Sequence, residues 1–127
     1  MYELTVEAEF CAAHALLISG QRETLHGHNW HVTVCVAGGT LDGDGLLCDF
    51  HTVADVLSEV IGPFQNTNLN TTPPFDRENP SAENVARHIG VQLSARLDPT
   101  LSPHAGVAWV RVTEATHCAA TYRLAKQ

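Results

Sequence analysis

Residues 26–37 of the chain read HGHNWHVTVCVA, and hydrophobic and polar side chains alternate along them. This alternation is typical of a β-strand with one buried face. A strand turns every second side chain to the same side, so the buried face is predicted to carry Trp30, Val32, Val34 and Val36. His26 and His28 continue the same series. We therefore expect two imidazoles to lie side by side at one end of this face.

Two neighbouring imidazoles on one strand are half of a metal site. Upstream, the segment FCAAH places His14 just beyond the end of a first predicted strand, where a turn back would bring it beside His26 and His28. Three histidines with an open fourth position are typical of a catalytic zinc site, because structural zinc sites have four protein ligands. Paired histidines also occur by chance on solvated strands, so spacing alone leaves both interpretations open.

The predicted elements follow the order strand, strand, helix, helix, strand, strand. Asp49 and Ser81 are predicted to cap the two helices, and Gly62-Pro63 is predicted to end the first one. An α+β fold, with a four-stranded antiparallel sheet and both helices on one face, satisfies this order economically. The predicted segments are strands 2–10 and 29–37, helices 50–64 and 81–97, and strands 107–115 and 119–125, with a polar loop over 65–80.

Length and charge bound the possible functions. The 127 residues are expected to form one domain, residues 1–127, and 14 acidic against 7 basic residues argue against nucleic-acid binding. We find no apolar run of membrane-spanning length and no signal-peptide pattern, so a cytoplasmic protein without a membrane partner is expected. The four scattered cysteines lack a C-x-x-C pair, which predicts buried, reduced thiols.

Five short motifs, FCAAH, LHGHN, GLLCDF, NPSAEN and VTE, resemble in order and spacing those of the 6-pyruvoyl-tetrahydropterin synthase / 6-carboxytetrahydropterin synthase family. The resemblance covers essentially the whole chain. It implies the tunnelling fold, in which subunits assemble side by side into a barrel, commonly a hexamer, with active sites between subunits. Because A-A-H and H-G-H are the family's zinc signature, it also implies that His14, His26 and His28 bind zinc.

The resemblance further implies a small-molecule pterin substrate. Glu114, at the end of a predicted strand, matches the family's pterin anchor, and two carboxylate oxygens can accept in parallel from the ring N3–H and the 2-amino group. Glu83 matches a second position close to the pterin. A negative charge near a helix N-terminus explains Glu83 almost as well.

Two departures from the family pattern bear on the chemistry. Members that make pyruvoyl or carboxy products carry a catalytic cysteine shortly before H-G-H, whereas residues 20–25 here read GQRETL. RETLHGH instead resembles a branch with glutamate in this loop, which implies that Glu23 is the base in cleaving 7,8-dihydroneopterin triphosphate to 6-hydroxymethyl-7,8-dihydropterin, a folate precursor. The usual Asp-His pair is replaced by Gln65-Asn66, and amides cannot relay a proton at neutral pH.

Two other functions remain open from the sequence. One is formation of a 6-pyruvoyl- or 6-carboxy-tetrahydropterin on the deazapurine (queuosine) route, which product identity would separate from the folate route. The other is a catalytically quiet, zinc-dependent pterin-binding protein, consistent with the loss of both the cysteine and the Asp-His pair. Tight pterin binding without turnover would favour it.

Overall fold

The computed structural model describes residues 1–125. Residues 126 and 127, which the predicted domain includes, lie outside the described part. The strands are β1 (Tyr2–His14), β2 (Leu17–Ile18), β3 (Gln21–Arg22), β4 (His26–Gly38), β5 (Thr67–Asn68), β6 (Ala105–Ala115) and β7 (Cys118–Arg123). The helices are α1 (Phe50–Ile61) and α2 (Ala82–Leu101), with single 3-10 turns at Gly62–Phe64 and Leu69–Thr71.

The main sheet has the strand order β5-β1-β4-β6-β7. Its four long strands are antiparallel neighbours, as predicted. The predicted strand count was wrong, because the two-residue strand β5 pairs in parallel with β1 at Ala12 and Ala13 and makes the sheet five-stranded. Strands β2 and β3 form a separate hairpin. A strand of two residues is too short to show alternating hydrophobicity. It can be recognised only from its pairing with β1, which the sequence does not reveal.

The buried face of β1 and β4 lies at the centre of the core. Phe10 is paired with Trp30 in the β1–β4 register, and the two rings stack at a centroid distance of 5.7 Å. Val32, Val34 and Val36 are fully buried on the same face, as predicted. Burial of each such side chain stabilises the fold by about 1.5–3 kcal/mol.

Both helices begin at the predicted caps. The Asp49 side chain accepts a hydrogen bond from the backbone N–H of His51 at 2.8 Å. The Ser81 hydroxyl accepts one from the backbone N–H of Asn84 at 3.1 Å. These bonds satisfy N–H groups that have no partner inside the helix. Helix α1 ends before Gly62, where a 3-10 turn begins.

Helix α2 is longer than predicted, because it continues past Leu97 to Leu101 and includes Pro99. Proline removes one hydrogen bond from a helix interior, which is why the sequence predicted an earlier end. The carboxylate of Asp98 accepts a hydrogen bond from the backbone N–H of Val107 at 2.8 Å and ties this last turn to β6. Within residues 1–125, none of the helices combines the length and the apolar character needed to cross a membrane.

The prediction that the cysteines are buried was only partly right. Of the four cysteines, Cys35 is buried and Cys48 is half-buried, whereas Cys11 and Cys118 are exposed. Cys11 alternates with the core residues Phe10 and Ala12 along β1, so it faces the other side of the sheet.

That outer face of the sheet carries a charged cluster. The ring of His31 on β4 lies between two glutamates of β1, with its Nε2 2.9 Å from Glu7 and its Nδ1 3.1 Å from Glu9. Hydrogen bonds to Glu7 and then Glu9 raise the pKa of His31 above its ordinary value, since both carboxylates favour the charged imidazolium. All three side chains are more than one-third exposed, so solvent screens the pairs.

We predict that replacing both carboxylates, Glu7→Gln and Glu9→Gln, lowers the titration midpoint of His31, measured by NMR. A raised pKa means that the cluster stabilises the fold fully below the ordinary histidine pKa of about 6.5, and that this contribution is lost as pH rises through the folded value. The stability difference between wild type and the double variant should therefore shrink as pH rises. An unchanged midpoint would contradict the assigned contacts.

Candidate active site

The three predicted metal ligands come together at one end of the core face. His14 is the last residue of β1 and is paired directly with His26, while Ala12 is paired with His28. The expected turn back after the strand is therefore wrong, because His14 lies inside the sheet. The small side chains before it weaken the alternation on which the predicted strand end was based.

The three imidazoles form a compact triad. Their ring centroids are 4.7 Å apart for His14–His26 and for His26–His28, and 5.1 Å apart for His14–His28. One nitrogen of each ring lies within 4.8 Å of the other two, an arrangement that could hold a metal ion. The fully buried Trp30 supports the triad, with its ring 4.8 Å from His14 and 5.8 Å from His28.

Backbone carbonyls orient two of the three imidazoles. Nδ1 of His14 lies 2.8 Å from the carbonyl oxygen of Pro80, and Nδ1 of His26 lies 2.8 Å from that of Thr24. A carbonyl oxygen only accepts, so each Nδ1 must carry the proton. In the neutral rings Nε2 then keeps its lone pair, which is how protein scaffolds prepare histidine as a metal ligand.

Within residues 1–125, three buried polar atoms at the site have no hydrogen-bond partner: Nε2 of His14, Nε2 of His28 and Oε2 of Glu114. The Nε2 of His14 and the Oε2 of Glu114 are 3.5 Å apart. A neutral His14 with its proton on Nδ1 turns a lone pair toward the carboxylate, so two acceptors face each other. A cation among these atoms would satisfy them, and the residues present therefore fit a metal ion.

The electrostatic environment also favours a neutral His28. Burial lowers the pKa of His28, because charged imidazolium is poorly solvated there, and a positive charge on His14 or His26 would lower it further. The charges of Glu114 and, more weakly, Glu23 oppose this shift. Neutral imidazole is the form that binds a metal ion.

Glu23, in the segment between β3 and β4, lies near enough to the triad for its charge to oppose the lowering of the pKa of His28. One carboxylate oxygen, Oε1, accepts a hydrogen bond from the backbone N–H of Leu16 at 2.9 Å, and the backbone N–H of Glu23 donates to the Leu16 carbonyl at 2.9 Å. The residue also lines an open groove of about 510 Å³, together with Arg22 and Arg77. Glu23 is therefore held in place and is not a freely moving loop carboxylate.

The two predicted pterin contacts have different surroundings. Glu114, near the end of β6, places a buried oxygen next to His14. Glu83 is exposed on the first turn of α2, and no hydrogen bond or ion pair links it to the histidines within the described residues. Of the predicted site residues, all but Glu83 are thus brought to the triad or beside it.

Gln65 and Asn66, which replace the family's Asp-His pair, bind the backbone of Cys11. The Cys11 N–H donates to the Gln65 side chain at 3.2 Å, and the Asn66 N–H donates to the Cys11 carbonyl at 2.7 Å. The Cys11 thiol donates to the Asn29 side chain at 2.8 Å. Both Cys11 and Asn29 lie on the opposite strand face from His28, so this thiol does not point at the triad.

Comparison with known proteins identifies the family. Residues 3–125 match the model of the family described as 6-pyruvoyl tetrahydropterin synthase, and the chain belongs to that family. It is an enzyme of a family of pterin lyases. Among curated relatives, the 6-carboxy-5,6,7,8-tetrahydropterin synthase of Bacillus subtilis (strain 168) is 30% identical over 125 residues, which cover 92% of this chain and 83% of the relative.

Solved structures show the same fold, so the subunit fold implied by the sequence motifs is confirmed. The 6-pyruvoyl tetrahydropterin synthase of Caenorhabditis elegans superposes with a TM-score of 0.80, at 22% identity and 98% coverage of both chains. That of Plasmodium vivax superposes with a TM-score of 0.76, at 25% identity, over 95% of this chain and 96% of the other. Two further P. vivax structures are described as mutants of a catalytic residue, a glutamate replaced by alanine or cysteine.

Sequence reasoning missed the groups that orient the ligands. The carbonyls of Thr24 and Pro80 belong to the backbone, which every residue has, so the amino-acid type at these positions does not indicate their role. Trp30 was predicted only as a core residue, yet its indole N–H donates to the Ala12 carbonyl at 3.1 Å and so fixes the ring beneath the triad. The alternating pattern that placed Trp30 on the same face as His28 was the available signal.

We predict that the purified chain binds about one divalent metal ion per subunit and that His26→Ala abolishes this binding, because only two imidazoles then remain. Metal content would be measured by plasma mass spectrometry after gel filtration. His51→Ala, an exposed histidine of α1, is the matched control and should retain the metal. Full occupancy after replacing His14, His26 and His28 together would rule out the site.

Proposed function

We propose that this enzyme is a zinc-dependent lyase that cleaves the side chain of 7,8-dihydroneopterin triphosphate and releases 6-hydroxymethyl-7,8-dihydropterin. The observation that carries the proposal is the carboxylate of Glu23, which Leu16 holds within electrostatic reach of His28, one of three imidazoles that could hold a metal ion. The loop that precedes H-G-H contains this glutamate and no cysteine. The description of a glutamate as catalytic in the P. vivax protein supports the same assignment.

Zinc is the metal that best suits this ligand set. Three neutral imidazoles and an open fourth position match catalytic zinc sites. When bound, zinc would supply Lewis acidity that makes a substrate hydroxyl proton easier to remove. The chain's own contribution is to hold His14 and His26 in the correct tautomer through Pro80 and Thr24.

Glu23 would act as the general base. It would take the proton of the hydroxyl on C2′, so that C2′ becomes a carbonyl and the C1′–C2′ bond breaks. The electron pair of that bond passes to the ring imine, and protonation at C1′ completes the hydroxymethyl group. The remaining two carbons leave as an aldehyde that carries the triphosphate. Since Oε1 of Glu23 is engaged by Leu16, the second oxygen is the one available for the proton.

Glu114 would anchor the pterin ring. Its buried oxygen accepts no hydrogen bond from the described residues 1–125 and can therefore accept one from an N–H donor of the ligand. The groove of about 510 Å³ that Glu23 lines has the size of small-molecule sites, but its lining includes neither Glu114 nor a histidine of the triad. Glu83 is proposed as a more distant pterin contact, and its exposure leaves it free to meet ligand or a neighbouring subunit.

The second candidate function is 6-carboxy- or 6-pyruvoyl-tetrahydropterin formation, as in the queuosine route. The similarity to the B. subtilis enzyme favours it. Against it, the thiol closest in sequence to the triad, Cys11, bonds to Asn29 on the opposite strand face. A third candidate, pterin binding without turnover, is favoured by the amides Gln65 and Asn66 at the position of the family's Asp-His pair.

We predict that Glu23→Gln lowers turnover by about a hundredfold to ten-thousandfold while pterin binding persists, because an amide keeps the shape but cannot accept the proton. Glu114→Gln should instead weaken pterin binding, since one acceptor becomes a donor that faces a donor. Steady-state kinetics and pterin titrations would separate the two effects. Near wild-type turnover in Glu23→Gln would refute the role of Glu23 as base.

The product decides among the three candidates. Zinc-loaded protein would be incubated with dihydroneopterin triphosphate, and the pterins would be identified by chromatography and mass spectrometry. The proposal expects 6-hydroxymethyl-7,8-dihydropterin. A pyruvoyl or carboxy product would favour the second candidate, and tight binding with no product would favour the third.

We also propose assembly through open strand edges into a homo-oligomer, most economically a hexamer. Strand β7 is an edge strand, and β5 covers β1 only at Ala12 and Ala13. Unpaired edges invite pairing with a second copy. Light scattering of the dilute protein should therefore give the mass of a homo-oligomer, and the family resemblance sets the expected size at about six chains. A stable monomer that turns over substrate would show that one subunit completes the site.

A further inference from the structure

The chain leaves the main sheet after His14, and the residues that follow are held by side-chain amides. The N–H of Ala15 donates to Oδ1 of Asn70 at 2.8 Å, and Nδ2 of Asn70 donates back to the Ala15 carbonyl at 2.9 Å. Asn79 repeats the arrangement at Leu17, with distances of 2.9 and 3.1 Å. Each amide thus takes the place of a neighbouring strand's backbone.

Leu16 lies between Ala15 and Leu17, and its backbone forms hydrogen bonds with Glu23 and not with an asparagine. Glu23 accepts from the Leu16 N–H through its carboxylate and donates its own N–H to the Leu16 carbonyl. In an extended chain, successive residues offer their polar groups to opposite edges. The two asparagines therefore hold one edge of segment 15–17 and Glu23 the other, and all three N–H and all three carbonyl groups are paired.

We infer that Asn70 and Asn79 are positioning residues of the active site. The segment that they hold joins His14 at one end to the backbone partner of Glu23, so its position sets that of a metal ligand and of the carboxylate beside it. Asn79 also directly precedes Pro80, whose carbonyl orients His14. The inference rests on the proposed function for the roles of the metal and of Glu23.

The chemistry of the contact requires an amide. Each position must offer one acceptor and one donor to the same residue, which asparagine does and aspartate, with two acceptors, does not. In Asn70→Asp a carboxylate oxygen would face the Ala15 carbonyl. The substitution keeps the size of the side chain and a polar surface, so it tests the contact with little change in packing.

The test compares Asn70→Ala and Asn79→Ala with Asp42→Ala. Asp42 also accepts two hydrogen bonds from backbone N–H groups, those of Asp44 and Leu46, but in the turn between β4 and α1. Each variant thus loses two bonds to the backbone. If circular dichroism shows that an alanine variant does not fold, the corresponding aspartate variant, Asn70→Asp or Asn79→Asp, is measured in its place.

Zinc dissociation constants would be measured by chelator competition, amide hydrogen exchange at residues 15–17 by NMR, and kcat and KM with the pterin substrate. We expect the asparagine variants to bind zinc about 10- to 100-fold more weakly, as for other groups that support metal ligands, and to lose kcat with little change in KM. Faster exchange should accompany both effects. The Asp42 variant should match wild type in all three.

A zinc dissociation constant within about twofold of wild type, despite faster exchange, would overturn the inference and leave the asparagines a purely structural role. Zinc affinity is measured without substrate, so it tests the inference even if the proposed reaction fails. In a Glu23→Gln background, Asn70→Ala should reduce kcat little further, because residues that act as one unit are not additive. If the losses in kcat from the two substitutions multiplied, Asn70 would act independently of Glu23, which would contradict its role in positioning that carboxylate.

Discussion

The pairing register of β1 with β4 is the constraint on which the site depends. It sets His14 opposite His26 and Ala12 opposite His28, all on the core face. A shift by one residue would turn these side chains to the other face of the sheet. Stacking of Phe10 on Trp30 lies in the same register and resists such a shift. The packing that stabilises the fold therefore also assembles the imidazoles.

Much of this arrangement could be predicted from local pattern. Alternation of apolar and polar residues predicted the buried face of β4 and placed His26 and His28 on it, and short polar side chains before apolar periodicity predicted both helix caps. The position of His14 inside β1 could not be predicted in this way, because Cys11, Ala12 and Ala13 are all small and blur the alternation. The asparagine partners of Ala15 and Leu17 lie 55 and 62 residues away in sequence. Local sequence patterns carry no information about contacts at such a separation.

The triad lies near negative charges that suit a bound cation. Three imidazoles lie near the carboxylates of Glu114 and Glu23, in a chain with a net charge of −7. Burial lowers the pKa of His28, so the site does not balance these carboxylates simply by protonating that ring. A bound cation would restore the balance locally. Because amides stand at positions 65 and 66, the proposed proton transfer within this chain relies on Glu23.

The burial of Trp30 has a practical consequence for optical measurements. Its indole is shielded from water and lies within 5.8 Å of two of the imidazole rings, whereas Trp109 is on the other side of the sheet, with the guanidinium of Arg111 5.7 Å from its ring. Tryptophan emission responds to charge and polarity within a few ångströms. Arrival of a cation or a proton among the imidazoles would change the fluorescence of Trp30 far more than that of Trp109. The chain therefore contains its own label-free reporter of what occupies the site.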